Sequence, residues 1–94
     1  MRTVRRVRSL MLRGRKWRVR WPARLTNDAG KPLFGQCHFR RRTLYIAAGQ
    51  PERELADTLL HELIHCSFPR ARERQVAEAA GDLLRALKRL GLLS

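Results

Sequence analysis

Cysteine is scarce in this 94-residue chain and long apolar runs are absent, and both facts exclude classes of protein. Two cysteines, Cys37 and Cys66, are too few for a disulfide framework. Met1 to Arg20 is basic and lacks the apolar stretch of a secretory signal, and no run approaches the length of a membrane span. We therefore expect a cytoplasmic protein with free thiols and no membrane partner.

Acidic residues are also few. They number 8 against 21 lysines and arginines, which gives a formal net charge of +13. Such an excess attracts polyanions, and a guanidinium suits phosphate better than an ammonium does. A basic surface can equally serve solubility alone. Nucleic acid, bound through the arginine-rich first half, is therefore a partner that the composition leaves open.

The length fits one domain of residues 1–94, and its first half favours strands. Residues 1–16 form a basic segment whose spacing fits a helix as well as a strand. Residues 17–48 are rich in strand patterns, the first of which alternates tryptophan and valine with arginine. Further candidates follow at 35–40 and 43–48. Their short connections predict a small antiparallel sheet, with the tryptophans on its core face.

Two helices are predicted after the strands. Pro51 suits the first helical turn, and Pro69 ends the first helix, which is predicted over 51–67. The second helix is predicted over 70–90, with Gly91 as its C-terminal cap. We therefore expect an α+β fold in which two α-helices pack on a small antiparallel β-sheet.

The most informative pattern is HExxH at residues 61–65, inside the first predicted helix. Residues four apart lie one turn apart on the same face, so the imidazoles of His61 and His65 can reach one ion. Glu62 is rotated about 100° away, so it can hold a water beside the metal without ligating it. Zn²⁺ is the expected metal, and Glu62 is the predicted general base.

A catalytic zinc also takes a third protein ligand, and the second predicted helix offers Glu73, Glu78 and Asp82. Glu73 lies one turn before the apolar face of that helix, whereas Glu78 and Asp82 project away from it. We predict Glu73 as the third ligand. The alternative is that Glu73 only stabilises the helix N-terminus. The apolar face itself is expected to pack on the domain through Val76, Ala80, Leu83, Leu87 and Leu90.

Other polar residues have weaker patterns. Cys66 follows His65 directly and is predicted to pack in the core rather than to bind metal. Either His38 or Tyr45 has a side chain suited to stabilising an oxyanion, but no pattern assigns either residue to the site.

Residues 35–37, 44–46 and 55–65 together resemble the minimal core of the zincin metallopeptidases. Within that group the chain looks most like SprT-like peptidases and their short phage-encoded relatives, and the likeness extends over residues 33–90. The resemblance implies a protein or peptide substrate. It also implies that the strand at 43–48 is an edge that docks an extended substrate.

One feature departs from the SprT-like pattern, in which a third histidine usually comes from further along the chain. No histidine follows His65 here, which favours a glutamate ligand, as in gluzincins. Some SprT-like proteins act on DNA-bound proteins, and the charge of this chain suits such a role. The expected function is zinc-dependent hydrolysis of peptide bonds. The alternative is a basic DNA- or RNA-binding module with a structural or vestigial metal site.

Overall fold

The computed structural model describes residues 4–93, so the first three residues of the basic segment lie outside it. Four strands form one sheet in the order β1-β2-β4-β3, and two helices follow them along the chain. The predicted α+β fold, a small sheet followed by two helices, is confirmed. After a single 3-10 turn, the elements are β1 (Ser9–Leu12), β2 (Arg15–Arg20), β3 (Gly35–His38), β4 (Thr43–Ile46), α1 (Glu52–Ser67) and α2 (Glu73–Arg89).

The basic segment, which the sequence left open between helix and strand, contains a 3-10 turn at Val4–Arg6 and the edge strand β1. A two-residue turn joins β1 to β2, and Leu12 pairs with Arg15 across it. Both turn residues have positive φ, 51° at Arg13 and 78° at Gly14. Two positive φ values in a row match the right-handed twist of a hairpin.

The sheet is mixed, which differs from the wholly antiparallel pairing expected from short connections. β1 pairs with β2, and β3 with β4, in antiparallel fashion, but β2 and β4 are parallel. Residues 21–34 separate β2 from β3, which is enough chain to carry β3 to the far edge. β4 then returns between them, where Leu44 and Ile46 are 0% exposed.

The expectation that the strand at 43–48 is an edge is therefore wrong. β4 has a partner on each side, and the edges of the sheet are β1 and β3. The most buried strand takes the centre because its apolar residues lose most water there.

The core lies between one face of the sheet and α1. Trp17 is buried there, as predicted, whereas Trp21 is half-buried and its indole N–H donates to the carbonyl of Val7. The apolar stripe of α1 packs against this face through Leu55, Leu59 and Leu63. His61 and His65 are not part of this packed stripe. The central cluster consists of Trp17, Leu44, Ile46, Leu55 and Cys66.

α2 begins at Glu73, three residues later than predicted. The chain first makes a turn after α1, in which the Ala71 N–H donates to the Phe68 carbonyl at 3.0 Å. The helix ends at Arg89, one residue before the predicted end, and Gly91 follows with a φ of 77° in the predicted capping role. The N–H of Leu92 bonds back to the carbonyl of Leu87, which completes a glycine-based C-terminal cap.

Only the first half of the apolar face of α2 is covered. Val76 and Ala80 are buried, but Leu83 is 45% exposed and Leu90 is 70% exposed. The expected packing of the whole stripe is wrong at these leucines because α2 packs against α1 and against none of the strands. Neither helix combines the length and apolar character that crossing a membrane requires, as far as residues 4–93 are concerned.

Candidate metal centre

His61 and His65 lie one turn apart on one side of α1. Their ring centroids are 4.8 Å apart. The side chains are 24% and 22% exposed, so each ring is held by its surroundings but still reaches solvent. The helix presents both imidazoles in the same direction because its apolar stripe is fixed against the core.

Glu73 faces both rings from the start of α2. Its Oε1 lies 2.7 Å from Nε2 of His61, and its Oε2 lies 2.6 Å from Nε2 of His65. The turn after α1 reverses the chain within a few residues, so the first residue of α2 comes opposite the last turns of α1. The Glu73 side chain is 69% exposed, which leaves the group open on its outer side.

Glu73 lies in the first turn of α2, where an acid favours the helix N-terminus, but its oxygens contact side chains of α1. Both of them contact imidazole nitrogens, and the backbone N–H of Arg72 is bonded instead by the Gln75 side chain at 3.1 Å. The other two candidates for the third ligand, Glu78 and Asp82, do not approach the histidines. Glu78 and Asp82 are exposed and pair with arginines of α2 itself.

His61, His65 and Glu73 form a group that could hold a metal ion. Their ligand atoms all lie within 4.8 Å of one another. Two imidazole nitrogens and one carboxylate oxygen are a common protein ligand set of catalytic zinc, which keeps a fourth position for water. The donor chemistry of the three residues therefore fits the metal that the motif indicates.

Glu62 stands beside this group in a partly buried environment. Burial raises the pKa of its carboxyl above the ordinary value; the two histidines oppose that shift and Glu73 adds to it. A raised pKa brings a carboxylate closer to the range in which it can both accept and return a proton near neutral pH. The side chain is thus chemically suited to the role that the motif predicts.

Gly35, at the start of β3, forms one wall of the Glu62 environment. A Cβ built on Gly35 would lie 2.7 Å from Cγ of Glu62 and 3.0 Å from Cγ2 of Thr58. No side chain fits in that space without displacing one of them. This role of Gly35 was not predicted, although a glycine within a strand often marks a close approach of another group.

Gln50 is a second residue whose role no sequence pattern indicated. It is 7% exposed, and its amide nitrogen donates to the carbonyls of Phe34 and Ala47. Its amide oxygen accepts a hydrogen bond of 2.8 Å from the Thr58 hydroxyl. Gln50 thereby ties α1 to the strand that contains Gly35, which fixes the distance between that strand and Glu62.

The structure leaves the remaining candidates outside the group. Tyr45 and His38 lie on the face of the sheet opposite to α1, so neither reaches the imidazoles. Cys66 packs in the core, as predicted. Hydrogen bonding to the Cys37 sulfur, and then burial, raise the pKa of the Cys66 thiol, so it stays protonated and is a poor metal ligand.

Searches of protein-family models, curated proteins and solved structures find no match to this chain.

Proposed function

We propose that this chain is a metal-dependent hydrolase. The observation that carries the proposal is the convergence of His61, His65 and Glu73, with the partly buried carboxylate of Glu62 next to them. A purely structural metal site would have no need for an acid with a raised pKa beside its ligands. An open outer side is also what a catalytic site requires, since a substrate must reach it.

The metal is zinc and the substrate is a peptide bond. The ligand set favours zinc, and the HExxH motif resembles that of zincin peptidases. The position of β3 supports a peptide substrate. It is an edge strand, and Gly35 in it touches Glu62. An extended peptide added to a free strand edge would pass directly by the general base.

The residues divide the chemistry between them. Zinc bound by His61, His65 and Glu73 would lower the pKa of a bound water and polarise the substrate carbonyl. The Glu62 carboxylate accepts a proton from the attacking water and passes it to the leaving amine. The wall formed by Gly35 and Thr58 keeps that carboxylate in place and partly dry, which strengthens its interaction with the proton.

Zinc content is the first measurement that tests the proposal. Tag-free protein, offered zinc and then dialysed against metal-free buffer, should retain about one ion per chain. The His65→Ala variant should retain almost none, because two ligands no longer hold a catalytic zinc firmly. Wild-type protein that retains no zinc would contradict the proposal. If the protein holds zinc but cleaves neither casein nor a peptide library, the metal is structural and the peptidase proposal is wrong.

Gly35→Ala should displace the general base without changing metal binding. The new methyl group must push Glu62 or Thr58 aside, while the three ligands are untouched. A displacement of about 1 Å at a reacting group can cost about 100-fold in rate. We expect peptide hydrolysis to fall by that order and zinc content to stay unchanged.

A matched control for this substitution is Gly49→Ala. The added Cβ there would meet only the Ala23 carbonyl oxygen, at an ordinary 3.4 Å. Its hydrolysis rate should equal that of the wild type. If Gly35→Ala also cleaved at the wild-type rate, Glu62 would not depend on that wall for its position.

A further inference from the structure

The net charge of the chain belongs entirely to its first half. Residues 1–50 contain fourteen lysines and arginines and one acid, whereas residues 51–94 contain seven of each sign. The half of the chain that contains both helices, and with them the candidate metal centre, is therefore neutral overall. The excess of +13 is carried by residues 1–50, the half of the chain that contains the sheet. This separation gives the sheet an electrostatic role of its own.

Much of this charge converges on the face of the sheet that no helix covers. Along β2 the inner residues are buried in the core, so the alternating lysine and arginines of the strand point outward. The connection between β3 and β4 adds two more arginines, and together they line a concavity of about 600 Å³. We call this surface the cationic face. Its basic residues are Lys16, Arg18, Arg20, Arg41 and Arg42, with Tyr45 among them.

The cationic face has no counter-charge of its own. Among residues 4–93, no carboxylate lies within 4.0 Å of any of its five basic side chains. Other arginines do have partners: Arg5 and Arg13 donate to backbone carbonyls, and Arg74 pairs with Glu78. Like charges held this close repel one another. A surface of this kind is stabilised by an external anion.

The backbone conformation of Arg42 also supports a role for the cationic face. Its φ is 44°, in the left-handed region where a side chain is disfavoured and glycine is favoured. Strained residues of this kind are found where a side chain has a role that offsets the strain. Arg42 contributes its charge to the cationic face from this position.

We propose that the cationic face binds the backbone of single-stranded nucleic acid. Alternate residues of β2 lie about 6.6 Å apart, on the scale of successive phosphates along one strand. Four of the five cations are arginines, whose fork of donors matches phosphate oxygens. The half-buried Tyr45 offers a ring on which a base can stack. A concave surface cannot enter a duplex groove, whereas a flexible single strand can lie in it.

This proposal does not depend on the metal centre. The sheet stands between the cationic face and α1, the helix that carries the imidazoles. Binding can therefore be measured with a chelator present, where failure of the peptidase proposal has no effect. Fluorescence anisotropy of a labelled oligothymidine, titrated between about 50 and 200 mM NaCl, gives the affinity and its dependence on salt.

Neutralising part of the face should weaken binding in a defined way. The triple variant Arg18→Gln, Arg20→Gln, Arg42→Gln removes three phosphate contacts. The slope of log affinity against log salt should become shallower by about 2, and affinity at low salt should fall at least about tenfold. The control Arg53→Gln, Lys88→Gln, Arg89→Gln removes the same charge from exposed helical positions. It should keep the wild-type slope and bind within about threefold of wild type.

Two single variants test the remaining parts of the proposal. Arg42→Gly removes a cation where glycine suits the backbone, so affinity should fall while the thermal midpoint is kept or raised. A loss of binding through unfolding would lower that midpoint instead. Tyr45→Leu should weaken binding about tenfold with the salt slope unchanged, because it removes stacking and no charge.

The proposal is overturned if the helical control loses as much affinity as the triple variant, or if the wild type does not bind the oligonucleotide. Equal or tighter binding to a duplex of the same length would overturn the assignment to single strands. Tighter binding to vesicles that contain phosphatidylglycerol would make the face a membrane surface rather than a nucleic-acid site.

Discussion

The Glu62→Gln variant is expected to keep its zinc and to lose peptide hydrolysis by about 10³-fold. The amide has the size of the carboxylate and fits between Gly35 and Thr58, so the geometry of the site is retained. What it lacks is the capacity to accept a proton from water, a contribution of about 10²–10⁴ in rate. Because burial already disfavours the charged form of Glu62, the neutral amide should fold at least as stably.

The control for this variant is Asp57→Asn, which makes the same chemical change at an exposed position of α1. It should cleave at the wild-type rate. Kinetics with one peptide substrate, at matched zinc content, separate the two variants. Hydrolysis by Glu62→Gln at the rate of the wild type would mean that another group activates the water, and the peptidase mechanism given above would be wrong.

Local periodicity made the grouping of the three candidate ligands predictable from the sequence. The spacing of His61 and His65 is a property of any α-helix, so their common direction followed without knowledge of the fold. Glu73 could be selected because stepping back one turn from Val76 stays on the same side of the second helix. The structure brings the three side chains together. α2 starts at Glu73 rather than near residue 70. The prediction for Glu73 is unaffected by this difference, because the period is counted from inside the helix.

Contacts between distant segments were not predictable in the same way. The parallel pairing of β2 with β4 depends on where residues 21–34 carry the chain, and no pattern in those strands records it. The contact between Gly35 and Glu62 joins a strand to a helix across the core. The sequence can state that a residue is small, but only the packed structure shows what the missing side chain leaves room for.

The hairpin between β1 and β2 shows a third reason why local sequence does not predict the whole structure. Glycine at position 14 signals a turn, but the residue before it is an arginine with φ of 51°, a conformation that asparagine or glycine would adopt more readily. Tertiary contacts compensate: the Arg13 guanidinium donates to the Ser67 carbonyl and lies over the ring of Phe68 at 5.4 Å. The turn is therefore stabilised by the end of α1, a partner that local sequence does not reveal.

Glu73→Gln is expected to lower zinc affinity at least about 100-fold. Replacing groups that merely orient a ligand costs about 10–100-fold, and in the proposed site Glu73 supplies a ligand oxygen itself. The amide retains the length of the side chain but not its charge, which an ion with two neutral imidazoles needs most. Competition with a chelating dye of known affinity measures the change. Circular dichroism of the metal-free protein checks that loss of the contacts to His61 and His65 has not unfolded it.

Glu78→Gln is the matched control, because it makes the same change one and a half turns further along α2. Glu78 is exposed and pairs only with Arg74, so zinc affinity should stay within about twofold of the wild type. Unchanged affinity in Glu73→Gln would mean that the contacts of 2.6 and 2.7 Å are hydrogen bonds of the metal-free protein and nothing more. Two imidazoles on one helix would then remain without a third ligand, and a firmly held catalytic ion would have no basis in this structure.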